Sequence, residues 1–70
     1  MKYLIVIEKT STGYSEYSPD LPGCIATGET QEEVQCEMQG AIVFHVDGLK
    51  EEGMDIPEPH SSSSYVDVPA

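Results

Sequence analysis

The side chains able to do chemistry are few. Four carboxylates, Glu8, Glu16, Asp20 and Glu29, fall near expected strand ends, and two histidines, His45 and His60, and two cysteines, Cys24 and Cys36, complete the set. Carboxylates gathered on a sheet can grip two metal ions and cut a phosphodiester. With 13 acids among 70 residues such candidates arise by chance, and these four match no ligand motif. His45 lies on the apolar stripe of an expected helix, where a lone histidine is more often packed than reactive, and a metal site needs further converging ligands. His60 lies in a Ser-rich connector with no visible partner. Cys24 and Cys36 show neither metal-type spacing nor a nucleophile motif, and read as inert small apolar residues in a reduced protein. Gly23 and Gly28 match neither phosphate-loop pattern. No catalytic, metal-binding or cofactor-binding residue is expected: the sequence reads as a non-enzyme that needs no cofactor.

Charge then sets the class of partner. The formal net charge is −10, from 13 acids against three bases. Those bases, Lys2, Lys9 and Lys50, are scattered, and there is no arginine. Nucleic-acid binding rests on basic side chains neutralising phosphates, so direct DNA or RNA binding is not expected. A basic protein is the electrostatically favoured partner, because opposite fields speed encounter. The same acidity also keeps a small protein soluble. Seventy residues make one domain, 1–70, with too little core for a wide stability margin. Self-association into a dimer or tetramer is the natural remedy. The apolar run Tyr3–Ile7 is too short to span a membrane and no signal peptide is visible, so a cytoplasmic protein is expected.

The elements that must position these residues are organised around Ser18–Glu33. Leu21-Pro22-Gly23-Cys24 asks for a type II turn, with proline presetting φ and glycine supplying φ > 0. Thr30-Gln31-Glu32-Glu33 is a capping box, in which the Thr30 hydroxyl accepts from the Glu33 N–H and Glu33 reaches back to the Thr30 N–H. Strands are expected at about 2–8, 14–18 and 24–28, the first with apolar residues on both faces as in a central strand. Gly28 loosens the backbone before a helix over about 31–52. Val34, Met38, Ala41, Ile42, His45 and Leu49 form its core stripe. Gly53 is the expected left-handed residue past its end. Cys36, Gly40, Val43 and Phe44 lie away from the stripe and mark a candidate oligomer interface. Tyr65–Val68 reads as a short last strand, returning beside the first by a right-handed crossover. The fold is α+β, β-β-β-α-β, with one helix on one face of an antiparallel sheet.

Asp20-Leu21-Pro22-Gly23, Gly28-Glu29-Thr30, Glu32-Glu33, the helix, and Ile56-Pro57-Glu58-Pro59 together resemble the N-terminal domain of HicB-type antitoxins, in order and spacing over nearly the whole chain. The resemblance implies a reduced ribonuclease-H-like fold without that fold's catalytic set. It also implies a partner, a small basic HicA-type ribonuclease with a double-stranded-RNA-binding-like fold, neutralised by covering its RNA-binding face and catalytic histidine. Asp20, Glu29, Glu32 and Glu33 are the candidate partner-binding acids; Pro22, Gly23, Gly28 and Thr30 are structural. Many HicB proteins continue into a C-terminal DNA-binding domain, ribbon-helix-helix or helix-turn-helix, and no such segment is expected within 1–70. The alternative reading is a stand-alone homo-oligomeric scaffold or regulatory domain in a bacterial cytoplasm, without a toxin.

Overall fold

The computed structural model describes residues 1–69. Strands β1 (Val6–Lys9), β2 (Tyr14–Tyr17) and β3 (Ile25–Gly28) are followed by one helix, α1 (Gln31–Glu51). The strands make an antiparallel sheet of order β1-β2-β3, so the molecule is α+β with its helix on one face. Alternation of side chains across a strand makes register decisive. Ile7, Glu16 and Ala26 stand abreast on the helix side, and Val6, Tyr17 and Ile25 stand abreast on the other.

Local chemistry sets the element ends. The Cys24 N–H donates to the Leu21 carbonyl at 3.1 Å and Gly23 has φ 85°, as a type II turn through Pro22-Gly23 requires. A second turn just before it, with the Leu21 N–H on the Ser18 carbonyl at 3.2 Å, carries Asp20 and Leu21 inward, where both are buried. Thr30 is the N-cap, in extended conformation, and its hydroxyl accepts from the Glu33 N–H at 3.1 Å. Such a cap contributes about 1 kcal/mol. The reciprocal bond from Glu33 to the Thr30 N–H is not formed, so half of the capping box is present. At the far end Gly53, at φ 70°, closes a Schellman motif: its N–H bonds the Lys50 carbonyl at 3.1 Å, and the Met54 N–H bonds that of Leu49 at 2.9 Å.

The core is thin. Leu21, Cys24 and Met38 form its centre, with Tyr3, Ile5, Ala26, Ala41 and Ile42 packed around them, and Val34 is also buried. Burying a side chain such as Leu21 stabilises by about 1.5–3 kcal/mol. His45 and Leu49 are half-buried at the end of the same helix stripe. α1 lies over β3 and β2 and does not reach β1.

Three expectations are corrected. The first strand covers Val6–Lys9 instead of 2–8, and it is an edge strand: the central strand is β2. Residues 65–68 form no strand. Tyr65, Val66 and Val68 are 104%, 81% and 79% exposed, and only Ser63, Ser64 and Tyr65 pass beside Leu4–Ile7. Without backbone pairing there, β1 keeps an open edge. The Ser-rich connector before this segment is tied down, and His60 is not without a partner there. The Tyr3 hydroxyl donates to the Pro57 carbonyl at 2.6 Å, and Asp20 holds His60 and Ser61.

Candidate partner-binding surface

The β3–α1 junction brings three exposed acids together. Glu29 precedes the N-cap, and Glu32 and Glu33 occupy the first helical turn; all three are exposed. Unpaired backbone N–H groups give a helix start a positive end, which favours carboxylates there. Glu29 and Glu33 border an open cleft of about 560 Å³, with Thr10 and Tyr14 opposite. The β1–β2 loop is drawn against this junction through glycine. A Cβ on Gly13 would stand 2.2 Å from the Gly28 carbonyl oxygen, and one on Gly28 would stand 3.0 Å from the Val34 nitrogen. Neither glycine has positive φ, so both are required by close backbone approach.

Asp20 departs from its expected place on this surface. It is 3% exposed, and its carboxylate is committed internally. Oδ2 accepts from the His60 and Ser61 N–H groups at 3.2 and 3.1 Å, and Oδ1 accepts from the Ser61 hydroxyl at 2.7 Å. His60 Nδ1 lies 3.2 Å from Oδ1, so this histidine has a partner that its sequence context hides. The Ser61 hydroxyl bond, assisted by the two backbone N–H groups and His60, holds the Asp20 carboxyl below its ordinary 3.8, against the opposing effect of burial. Asp20 is a latch that ties the post-helix segment to the β2–β3 turn.

Cys36, Gly40, Val43 and Phe44 lie exposed on α1, Val43 and Phe44 at 54% and 82%. Cys24 is a free thiol in the core, and burial pushes its pKa up, as suits an inert residue. The nuclease-type carboxylates do not converge: Glu8 pairs with Ser15 and Ile7 with Glu16, which puts Glu8 and Glu16 on opposite sheet faces. Among the described residues no three His, Cys, Asp or Glu side chains gather to hold a metal ion.

Glu16, weighed in the sequence only as a carboxylate near a strand end, is buried in a way that sequence reading missed. It is 2% exposed on the helix face of β2, and its Oε2 is buried without a hydrogen-bond partner. Its signal is parity: Tyr14, Glu16 and Ser18 share one face of the strand, and a glutamate holds the position a core residue would take.

A sequence model described as the HicB-like antitoxin of bacterial toxin–antitoxin systems matches residues 3–70. The chain belongs to the HicB-like antitoxin family. Among similar proteins, Antitoxin HicB 2 of Photorhabdus laumondii is 34% identical over 71 residues, spanning 100% of this chain and 51% of that protein. An uncharacterised 14.9 kDa protein of Haemophilus phage HP1 is 36% identical over 69 residues, spanning 99% of this chain and 52% of the relative. This HicB-like chain thus spans about half the length of the curated relatives it matches. A chain of the solved HicA3 and HicB3 toxin–antitoxin complex superposes with a TM-score of 0.72 at 33% identity, covering 86% of this chain and 70% of that one. No helix is long and apolar enough among the described residues to cross a membrane.

Proposed function

We propose that this HicB-like domain acts by binding and not by chemistry: it neutralises a small basic ribonuclease of the HicA type by covering the toxin's RNA-binding face. The observation that carries the reading is the exposed acidic end formed by Glu29, Glu32 and Glu33, in a family whose solved relative belongs to a HicA3–HicB3 complex. RNA-binding surfaces are basic because they neutralise phosphates. A domain of net charge −10 competes for such a surface through the same attraction. Asp20 contributes by holding the domain together and not by contact. The exposed patch of Cys36, Gly40, Val43 and Phe44 supports self-association as a second property of the same chain.

The test is titration of the chain into a purified HicA-family ribonuclease, reading complex formation and RNA cleavage together. Wild type is expected to bind and to stop cleavage, with affinity falling steeply as salt rises. The triple variant Glu29→Gln, Glu32→Gln, Glu33→Gln should bind at least about tenfold more weakly, with a flatter salt dependence. Its helical circular dichroism serves as the folding control. Equal affinity of the two proteins would remove the acidic end from the interface.

A further inference from the structure

Because α1 covers β2 and β3 but stops short of β1, a groove of about 360 Å³ is left between β1 and the helix. Its walls are Ile5 and Ile7 on one side and Met38 and Ile42 on the other, and Glu16 lies in its floor. That volume is at the small end of ligand pockets, roughly 300–1,000 Å³. The floor is what makes the groove more than a gap in packing. A buried carboxylate oxygen without a partner is costly, and buried charges in proteins are paired or hydrogen-bonded. Glu16 has no such partner in this chain: the one contact between an acidic and a basic side chain among the described residues is His60–Asp20, and Lys2, Lys9 and Lys50 do not reach Glu16.

We propose that this groove receives one lysine or arginine side chain of the basic protein partner, its aliphatic stem lying on Ile5, Ile7, Met38 and Ile42 and its cation pairing with the Glu16 carboxylate, which lines the groove. Such side chains bury their methylenes along apolar surface and carry the charge at the tip, the combination these walls and this floor accept. Tyr14, the same-face neighbour of Glu16 along β2, borders the cleft of Glu29 and Glu33, so the acidic end begins one same-face position from Glu16. Exposed acids there steer a basic surface inward, and a single desolvated pair anchors it, as hot-spot residues do. A position that breaks the apolar pattern of a core face is where a functional residue is expected.

The inference rests on the reading of a basic protein partner, but the site can be tested without a toxin. The isotope-labelled chain is titrated with N-acetyl-leucyl-arginine amide, and with the neutral citrulline analogue, while the methyl resonances of Ile5, Ile7, Met38 and Ile42 are followed. The arginine peptide is expected to shift these methyls saturably, and the citrulline peptide to bind at least about tenfold more weakly. Glu16→Gln should weaken arginine binding to the citrulline level. Gln39→Lys, at the exposed lip of the groove, supplies an internal ammonium and should abolish binding while keeping the fold; it decides the matter where Glu16→Gln fails to fold. Equal binding of the two peptides, unchanged affinity in both variants, or no shift of these methyls would overturn the proposal. So would concentration-dependent shifts of the same methyls without peptide, because a second copy would then occupy the groove. Peptide binding without toxin binding keeps the site and removes the toxin, and the reverse result removes only the groove.

Discussion

Gly13→Ala should be among the most damaging single-methyl changes available in this chain. The new Cβ would meet the Gly28 carbonyl oxygen at 2.2 Å and the Glu29 Cα at 2.8 Å. Comfortable contact lies at about 3.5–4.0 Å between carbons. Both obstructing atoms are backbone, so no side chain can rotate aside, and the β1–β2 loop must retreat from the β3–α1 junction by about an ångström. Overpacking of this kind costs about 1–3 kcal/mol, and rigid neighbours put Gly13 in the upper half of that range. A domain of this length has only roughly 4–10 kcal/mol in total. At about 4–8 °C per kcal/mol, the melting temperature should fall by about 10–20 °C. Gly40→Ala supplies the contrast. Nothing lies within 4 Å of its Cβ, so relief of helix-interior entropy should stabilise by about 0.5–1 kcal/mol. Thermal unfolding followed by far-ultraviolet circular dichroism reads both signs. Gly13→Asn separates the causes, since asparagine tolerates positive φ but not crowding. A Gly13→Ala melt within about 2 °C of the parent would refute close backbone approach as the reason for this glycine.

Two further outcomes are expected. Asp20 has a folded pKa held below its ordinary 3.8, first by the Ser61 hydroxyl bond, so its contribution to stability is present above that value and fades as pH falls through the lowered one. Asp20→Asn should therefore flatten the acid limb of the stability profile below about pH 5 and expose residues 60–64 to proteolysis, as urea titrations at several pH values and limited digestion would report; an unchanged acid limb would show that the latch is not closed in solution. Val43→Ser with Phe44→Ser should reduce the mass seen by light scattering toward that of the 7.6 kDa single chain, and an unchanged mass would remove this helix face from self-association.

What sequence reading recovers here is local, and what it misses is nonlocal. The Pro22-Gly23 turn, the Thr30 cap and the Gly53 stop each depend on backbone chemistry within a few residues, and each is formed. The helix ends within a residue of expectation for the same reason. β2 is harder, because Tyr14 and Tyr17 have opposite parity and give conflicting votes on which face is inward. Register decides it: Glu16 stands beside Ala26, the small residue that leaves space for α1. The edge position of β1 and the absence of a strand at 65–68 depend on pairing between distant segments, which periodicity does not encode. Asp20 was legible as part of a family-like motif but not as a latch, because His60 and Ser61 lie 40 and 41 residues away.

Burial in this domain is partly inverted, and the inversion bears on function. Glu16, Ser18 and Asp20 are buried beside an apolar core of Leu21, Cys24, Val34 and Met38, while Ile25, Phe44, Tyr65, Val66 and Val68 are more than half exposed. Asp20 is satisfied by the chain's own latch, but Glu16 Oε2 and Ser18 Oγ are buried without partners. A chain selected for stability alone would exchange these positions, since an unpaired buried polar group costs about 1–3 kcal/mol and so small a core has little to offset it. The arrangement becomes economical once a second molecule covers the apolar surface and supplies a cation to Glu16. A partner that binds only the folded form then stabilises it by about 2.7 kcal/mol at a hundred times its dissociation constant, a large fraction of what a domain of this size has. On the proposed reading, stability and recognition in this fold are coupled through the same few side chains.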